Sequence, residues 1–151
     1  MTAGYATAFL SVSDVERSIH FYERIGFSIV DVEGDPGRLG WARMHTEDGS
    51  AIMLALSDED AQCDRSESGF ILVLYTSDLP SLREQLLAAG EQPPPIQYPS
   101  WMPSGTLILR DPDGYTVGIN HWSDKEHAAW LAGIEKKRAT GALPPLPAST
   151  Q

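Results

Sequence analysis

The chain has 151 residues, of which 42% are apolar, and it carries four Trp, five Tyr and four Phe. This length and composition suit one packed domain and exclude an intrinsically disordered protein. Twenty-one acidic against eleven basic residues give a net charge of −10. That charge repels phosphate backbones, which argues against nucleic acid as a partner, and it slightly favours a cationic small ligand, although solubility alone would also explain it.

Two further absences concern redox chemistry and membranes. Cys63 is the only cysteine, so an intramolecular disulfide and CxxC chemistry are both excluded. No apolar run approaches 18 residues, and no basic-then-apolar leader opens the sequence. We therefore expect a cytoplasmic protein without a membrane partner.

The first half of the chain alternates short strands with one helix. Residues 5–12 alternate as a strand, and Ser13 with Glu16 predicts the capping box of a helix that ends at Gly26. Three further strands are predicted over residues 27–32, 39–45 and 50–56, with a turn at Asp35-Pro36-Gly37 between the first two. The polar stretch 57–68 contains five acidic residues and is predicted to be a surface connector.

The second half repeats this order. Residues 69–76 form an apolar strand, and a helix begins near Ser77 or Asp78 and ends at Gly90. The pattern then breaks, because five prolines between residues 91 and 105 cannot donate to a strand ladder. Only residues 96–98 can pair there. The remainder is predicted to be a stiff loop that carries three large side chains, Tyr98, Trp101 and Met102.

The end of the chain combines a hairpin with a third helix. Residues 107–122 read as a β-hairpin around Asp111-Pro112-Asp113-Gly114, and the same Asp-Gly pair stands 65 residues earlier at positions 48 and 49. Ser123 and Glu126 predict a capping box for a helix over residues 123–139, whose Trp130 and Leu131 need a surface to pack on. Residues 140–151 are predicted to be a Pro-rich tail.

Three segments of the sequence resemble a known family. SDVERSIHFYERIGF, SDLPSLREQLLAAG and RDPDGYTVGI, in this order and spacing, resemble the vicinal-oxygen-chelate superfamily of glyoxalases, bleomycin-resistance proteins and extradiol dioxygenases. The resemblance covers about residues 5–122. It implies an α+β fold in which residues 1–122 hold two βαβββ modules, at about 5–56 and 69–122. The modules would form U-shaped sheets around a cleft.

The resemblance also bears on metal binding. Metal-dependent members place His or Gln in the first strand and Glu in the fourth strand of each module. The matching positions here are Thr7, Met53, Ile71 and Gly118, which do not make a ligand set for a hard or borderline divalent cation. We therefore expect no metal site and no other cofactor. A glyoxalase, an extradiol dioxygenase and a metal-dependent fosfomycin transferase are all disfavoured.

What remains is a cleft of apolar, aromatic and small groups. Carried over from the family pattern, the cleft-side residues of the strands are Thr7, Phe9, Ser11, Met53, Ile71, Val73, Tyr75, Thr116, Gly118 and Asn120. Its rim is expected to hold Trp41, Tyr98, Trp101 and Met102. Such a surface suits a planar or amphipathic organic ligand held by stacking, although Phe9, Met53 and Val73 fit a core role equally well.

Metal-free members of the bleomycin-resistance type resemble this chain in the FYERIGF helix end, the aromatic loop and the acidic balance. Those proteins are homodimers that sequester a drug in clefts at the subunit boundary without altering it. The resemblance thus implies a homodimeric antibiotic-resistance protein that binds an aromatic or cationic natural product and has no catalytic residue. Two alternatives stay open. One is a metal-independent enzyme of natural-product metabolism using His121, His45 and Tyr75; the other is an interaction module whose C-terminal helix and tail dock a partner.

Overall fold

The computed structural model of the chain describes residues 4–58 and 64–144, so Cys63 and the end of the tail lie outside the described part. Its elements are, in order, β1 (Ala8–Val12), α1 (Val15–Arg24), β2 (Phe27–Asp35), β3 (Arg38–Thr46), β4 (Ala51–Leu56), β5 (Ile71–Thr76), α2 (Leu79–Ala88), β6 (Thr106–Arg110), β7 (Thr116–His121) and α3 (Asp124–Ala139). The first sheet has the order β1-β4-β3-β2, and the second has the order β5-β7-β6. The predicted α+β fold with two sheets and a C-terminal helix is confirmed.

The second sheet has three strands where the repeated βαβββ pattern would give four. In the Pro-rich segment, Gln97 and Thr106 exchange two backbone hydrogen bonds, of 2.9 and 2.8 Å, and form an isolated bridge. This agrees with the prediction that only residues 96–98 can pair. Because the strand ladder stops there, β6 forms one edge of the second sheet.

The start of the first module differs from the prediction. β1 begins at Ala8, so Tyr5 and Thr7 precede the strand. The N-cap of α1 is Asp14, whose carboxylate accepts the Arg17 N–H at 2.9 Å, and not Ser13. Glu16 closes no capping box, because its carboxylate accepts the Leu39 N–H at 2.9 Å instead. The predicted helix ends are confirmed: Gly26 and Gly90 follow α1 and α2 with φ values of 103° and 84°.

One core joins the two halves. α1 packs against β2, β3 and β4, and α2 lies against β7. The buried side chains of both sheets and of these two helices form one cluster, whose fully covered members include Leu10, Val12, Val15, Ile52, Leu54, Leu79, Leu107, Val117 and Ile119. Since neighbouring residues of a strand point to opposite faces, the other face of each sheet points away from this core.

A polar junction fastens the second module to the first. The Tyr22 hydroxyl of α1 donates to Asp111 at 2.9 Å, and the other oxygen of Asp111 accepts the backbone N–H groups of Asp113 and Tyr115. Asp113 accepts the Ser13 N–H at 2.9 Å from 100 residues away. Both carboxyl groups are buried. Burial raises the pKa of Asp111 and, together with the neighbouring carboxylate, that of Tyr22.

The third helix is held at its start. Ser123 and Glu126 form the predicted capping box, and Glu126 also accepts a hydrogen bond of 2.7 Å from the Ser104 hydroxyl. These hydroxyl donors lower the pKa of Glu126 to about 2. The ring of Trp122 contacts Trp130 on α3 at 6.2 Å between ring centroids. Along its length α3 buries none of its side chains.

Replacing Asp113 by Ala should lower the free energy of unfolding by about 1–3 kcal/mol, because the Ser13 N–H loses its acceptor at a part-buried site. Asp48, at the equivalent turn of the first module, is exposed, so Asp48→Ala should change that free energy by less than about 0.5 kcal/mol. Urea denaturation of both variants provides the measurement. Equal effects of the two substitutions would contradict a specific role for the junction.

The cap of α3 should also respond to acid. Because the pKa of Glu126 falls from 4.5 to about 2 in the folded chain, its stabilising contribution is present above pH 4.5 and is lost as the pH falls towards 2. Near-ultraviolet circular dichroism of the Trp122–Trp130 pair should therefore change across this range. Glu126→Gln should remove most of that change, whereas Glu135→Gln, farther along the same helix, should leave it intact.

Candidate functional site

Two rows of side chains cross the outer face of the first sheet. In register on neighbouring strands, one row holds Phe9, Met53, Arg43 and Asp31, and the next holds Ser11, Ala55, Trp41 and Glu33. We call these two rows the first-sheet face. Phe9 is 59% exposed. The small side chain of Ala55 leaves a low strip between Trp41 on β3 and Ser11 on β1.

A polar cluster borders this face. The Arg43 guanidinium donates to His45 Nε2 at 3.0 Å and to the Tyr5 hydroxyl at 2.7 Å, and it lies 5.5 Å from the centroid of the Tyr5 ring. Tyr5 itself is exposed. Neither Tyr5 nor Arg43 was predicted as a site residue. The signal was available for Arg43, since it alternates with Trp41 and His45 along β3 and therefore shares their face.

The residues at the superfamily's metal positions do not fit a divalent cation. The Thr7 hydroxyl oxygen is buried without a hydrogen-bond partner, and Ile71 is exposed but offers no donor atom. Met53 pairs across the sheet with Arg43, whose permanent positive charge opposes a cation at this place. Among the described residues, no group of three or more His, Cys, Asp or Glu side chains is arranged to hold a metal ion.

The second sheet also has an outer face. Ile71, Val73 and Tyr75 of β5 are all exposed, with Tyr75 at 60%. They lie in register with three residues of β7, namely Thr116, Gly118 and Asn120, and we call these six residues the second-sheet face. Gly118 is buried, because the side chain of Ile108 on β6 lies 3.6 Å from the place where a Cβ of Gly118 would stand. Asn120 is only 5% exposed, so within one chain it offers a ligand little surface.

The aromatic loop lies at one end of the second sheet. Tyr98 and Trp101 are exposed on it, while Met102 is half-buried and its N–H donates to the Pro99 carbonyl at 2.9 Å. At the same end, the Tyr75 ring lies 5.7 Å from the ring of Trp122, measured between centroids. The exposed aromatic surface therefore extends from β5 to the start of α3.

One chain does not bring the two faces together. A cavity of about 440 Å³ is lined by Val73 and Tyr75, and it meets the first module at Ile25, Gly26 and the polar turn at residues 46–50. Phe9, Trp41 and Met53 do not line it. The fourteen predicted site residues thus divide into a first-module group, a second-module group and a loop group. Each group is placed on the outside of the chain's single core.

The helices of the described part are too short or too polar for any of them to cross a membrane. Among curated proteins, none is significantly similar in sequence. Solved structures of the same fold include a bleomycin-binding protein in complex with bleomycin, which is 23% identical, with a TM-score of 0.63 over 80% of this chain and 100% of that chain. Another is TnmS3, an antibiotic-binding protein from Streptomyces sp. CB03234, which is 21% identical, with a TM-score of 0.58 over 80% and 97%.

An enzyme has the same fold. The trypanothione-dependent glyoxalase I of Leishmania major is 19% identical, with a TM-score of 0.64 over 94% of this chain and 100% of that chain. At these identities the likeness shows the fold alone. Residues 4–119 match the family described as Glyoxalase/Bleomycin resistance protein/Dioxygenase superfamily. The chain therefore belongs to the glyoxalase, bleomycin-resistance and dioxygenase superfamily.

Proposed function

We propose that this protein binds and sequesters a small natural product with an aromatic or cationic portion, without a metal ion and without altering it. It would act as a cytoplasmic homodimer and confer resistance to an antibiotic. The observation that carries this proposal is the pair of exposed sheet faces, which are rich in apolar side chains at positions where the superfamily's enzymes hold their metal. The bleomycin-binding and antibiotic-binding proteins of the same fold support it by analogy.

The first-sheet face favours a ligand with two different ends. Glu33 lies in register beside Trp41, so a cationic group there would meet both an aromatic ring and a carboxylate. One row away, Arg43 and the Tyr5 hydroxyl suit acceptor oxygens of the ligand, and the positive charge of Arg43 repels a cation. The low strip at Ala55 leaves room for a flat ring between them. The face therefore suits a planar ligand that is basic at one end and carries acceptor groups at the other.

A second copy of the chain would complete the site. The first-sheet and second-sheet faces both point away from the shared core, and Phe9, Ile71, Val73 and Tyr75 are exposed on them. Apolar surface of this kind is usually covered by a partner. A two-fold axis would set the first-sheet face of one copy against the second-sheet face of the other and form two equivalent clefts. Residues that one chain keeps apart would then line the same cleft.

One observation favours the alternative of a metal-independent enzyme. His45 Nε2 accepts a hydrogen bond from Arg43, which holds the imidazole in a defined orientation beside the first-sheet face. Because Nε2 accepts from Arg43, the ring is left with Nδ1–H, which can donate a hydrogen bond or a proton to a bound molecule. Of the three acid–base candidates, His45 is the one that such a cluster supports. The two functions differ in whether the bound molecule is recovered unchanged.

A titration of tryptophan fluorescence in EDTA, against a panel of planar and cationic antibiotics that includes bleomycin, tests the ligand proposal. We expect saturable quenching and a ligand of unchanged mass. Trp41→Ala should weaken binding at least about tenfold, because it removes a stacking and cation–π surface. Leu87→Ala, at an exposed apolar residue on α2, should leave the affinity unchanged. A chemically altered ligand would indicate an enzyme, and binding that required added Zn²⁺ or Mg²⁺ would contradict the metal-free site.

The shared cleft predicts a link between assembly and binding. Phe9→Asp combined with Ile71→Asp places charges on both exposed faces and should abolish the shared clefts together with ligand binding. Leu87→Asp introduces the same charge on α2 and should preserve both. Sedimentation velocity and the fluorescence titration provide the two readouts. If the wild-type protein is a monomer and nevertheless binds the ligand saturably, a cleft shared between subunits is ruled out.

A further inference from the structure

The C-terminal helix has little support from the rest of the chain. α3 is 16 residues long and buries none of its side chains. Its ties to the body are in its first half, through the Ser104–Glu126 hydrogen bond and the contacts of the His127 and Trp130 rings with the ring of Trp122. A helix of this length is only marginally stable in water without packing. In the second half of α3 every residue is exposed except Ile134, which is half-buried.

One face of α3 carries a self-complementary stripe. Asp124, Leu131 and Arg138 follow one another at intervals of seven residues, which places Asp124 and Arg138 each about 20° from Leu131 around the helix axis. All three are exposed, with Leu131 at 44%. The stripe is acidic in the first turn, apolar in the middle and basic in the last turn. If a second copy of the helix lies antiparallel to the first and the two cross at Leu131, Asp124 of each copy lies against Arg138 of the other. The pairing therefore forms two ion pairs.

The positions beside the stripe obey the same symmetry. Ala128 and Ile134 stand three residues on either side of Leu131, so the reversal places a small side chain against a large one. His127 and Glu135 stand four residues on either side, so an imidazole would meet a carboxylate. Each position near the stripe is thus matched by a complementary residue of the opposite copy.

The stripe does not face the body of the chain. Of the residues that contact the body, Glu126 and Trp130 are turned about 140° and about 100° from Leu131 around the helix axis, while His127, whose ring lies 6.4 Å from that of Trp122, is turned about 40° and borders the stripe. Lys125 and Lys137 would form a like-charged pair in the reversed arrangement. Both are turned about 120° from Leu131 and so lie off the contact.

We propose that α3 docks in antiparallel orientation on the α3 of a second copy of this chain, about a two-fold axis at Leu131. The partner is a second copy because the charges, sizes and apolar centre of the stripe complement the same stripe reversed. This contact is separate from the sheet faces and rests on neither the ligand nor the shared cleft. It gives the chain a second surface for self-association.

The charges at the two ends of α3 could also stabilise the helix without any pairing. Exchanging the two charges distinguishes that role from helix pairing. An acidic first turn and a basic last turn also stabilise a lone helix through its macrodipole. On that account, exchanging the two charges within one chain would be worse than changing either alone. If the helices pair, the same exchange restores both ion pairs, because the arginine placed in the first turn would meet the aspartate placed in the last turn of the opposite copy. The two accounts therefore predict opposite results.

Disulfide trapping tests the proposed axis. In a Cys63→Ser background, which removes the only native thiol, Leu131→Cys should form a covalent dimer rapidly under mild oxidation. Lys136→Cys lies on the same exposed helix but is turned about 140° from the stripe, and it serves as the matched control. Cross-linking of Leu131→Cys at least about tenfold faster than the control is expected. Equal rates at the two positions would overturn the proposal.

The charge swap tests the orientation. In the Leu131→Cys background, Asp124→Arg and Arg138→Asp should each slow cross-linking about tenfold, because symmetry turns two attractive pairs into two repulsive ones. The double variant, and an equimolar mixture of the two single variants, should recover at least half of the original rate. Far-ultraviolet circular dichroism checks that α3 stays helical, and the mixture remains decisive where one variant loses helicity. If the double variant and the mixture both cross-link as slowly as the single variants, antiparallel pairing is contradicted.

Discussion

Two buried carboxyl groups at the turn between β6 and β7 hold the halves of this protein together. Asp113 accepts the Ser13 N–H, and Asp111 accepts the Tyr22 hydroxyl, so one turn of the second module binds both ends of the α1 region. Removing these carboxyl groups from water is unfavourable, which is why the pKa of Asp111 is raised. Several hydrogen bonds at each carboxylate offset that cost. The junction lies beside the single core, in which residues of α1 are buried together with Val117 and Ile119 of the hairpin.

That arrangement decides where a ligand can bind. Since the two sheets share a core through their inner faces, their outer faces are left for ligands or for another subunit. These faces carry aromatic and aliphatic side chains, with Arg43 in register beside Met53. The outer face of the first sheet thus presents a guanidinium, a thioether and a low strip of small residues. Stacking and burial of apolar area are the interactions that such a surface can supply.

The departures from the repeated module have structural consequences of their own. The prolines at residues 93–95 prevent a fourth strand in the second sheet, and the freed segment carries Tyr98 and Trp101 to the surface. At the other end of the chain, α3 follows the hairpin and is fastened through its cap to Ser104 of that same segment. The irregular loop and the added helix are therefore coupled. Between β7 and α3, the ring of Trp122 lies beside both Tyr75 and Trp130 of α3.

Local features of this protein followed from the sequence by itself. The left-handed positions at Gly26 and Gly90, the hairpin turn, the Ser123–Glu126 capping box and the short pairing at Gln97 depend on groups within a few residues, whose preferences the sequence states directly. Only the tertiary structure decided the long-range features. Asp14 caps α1 in place of Ser13, and Asp113, 100 residues away, accepts the Ser13 N–H that a capping box would have given to Glu16. Phe9 is exposed and Asn120 is buried because of what packs against each sheet face. Such long-range packing is not encoded in local sequence preferences.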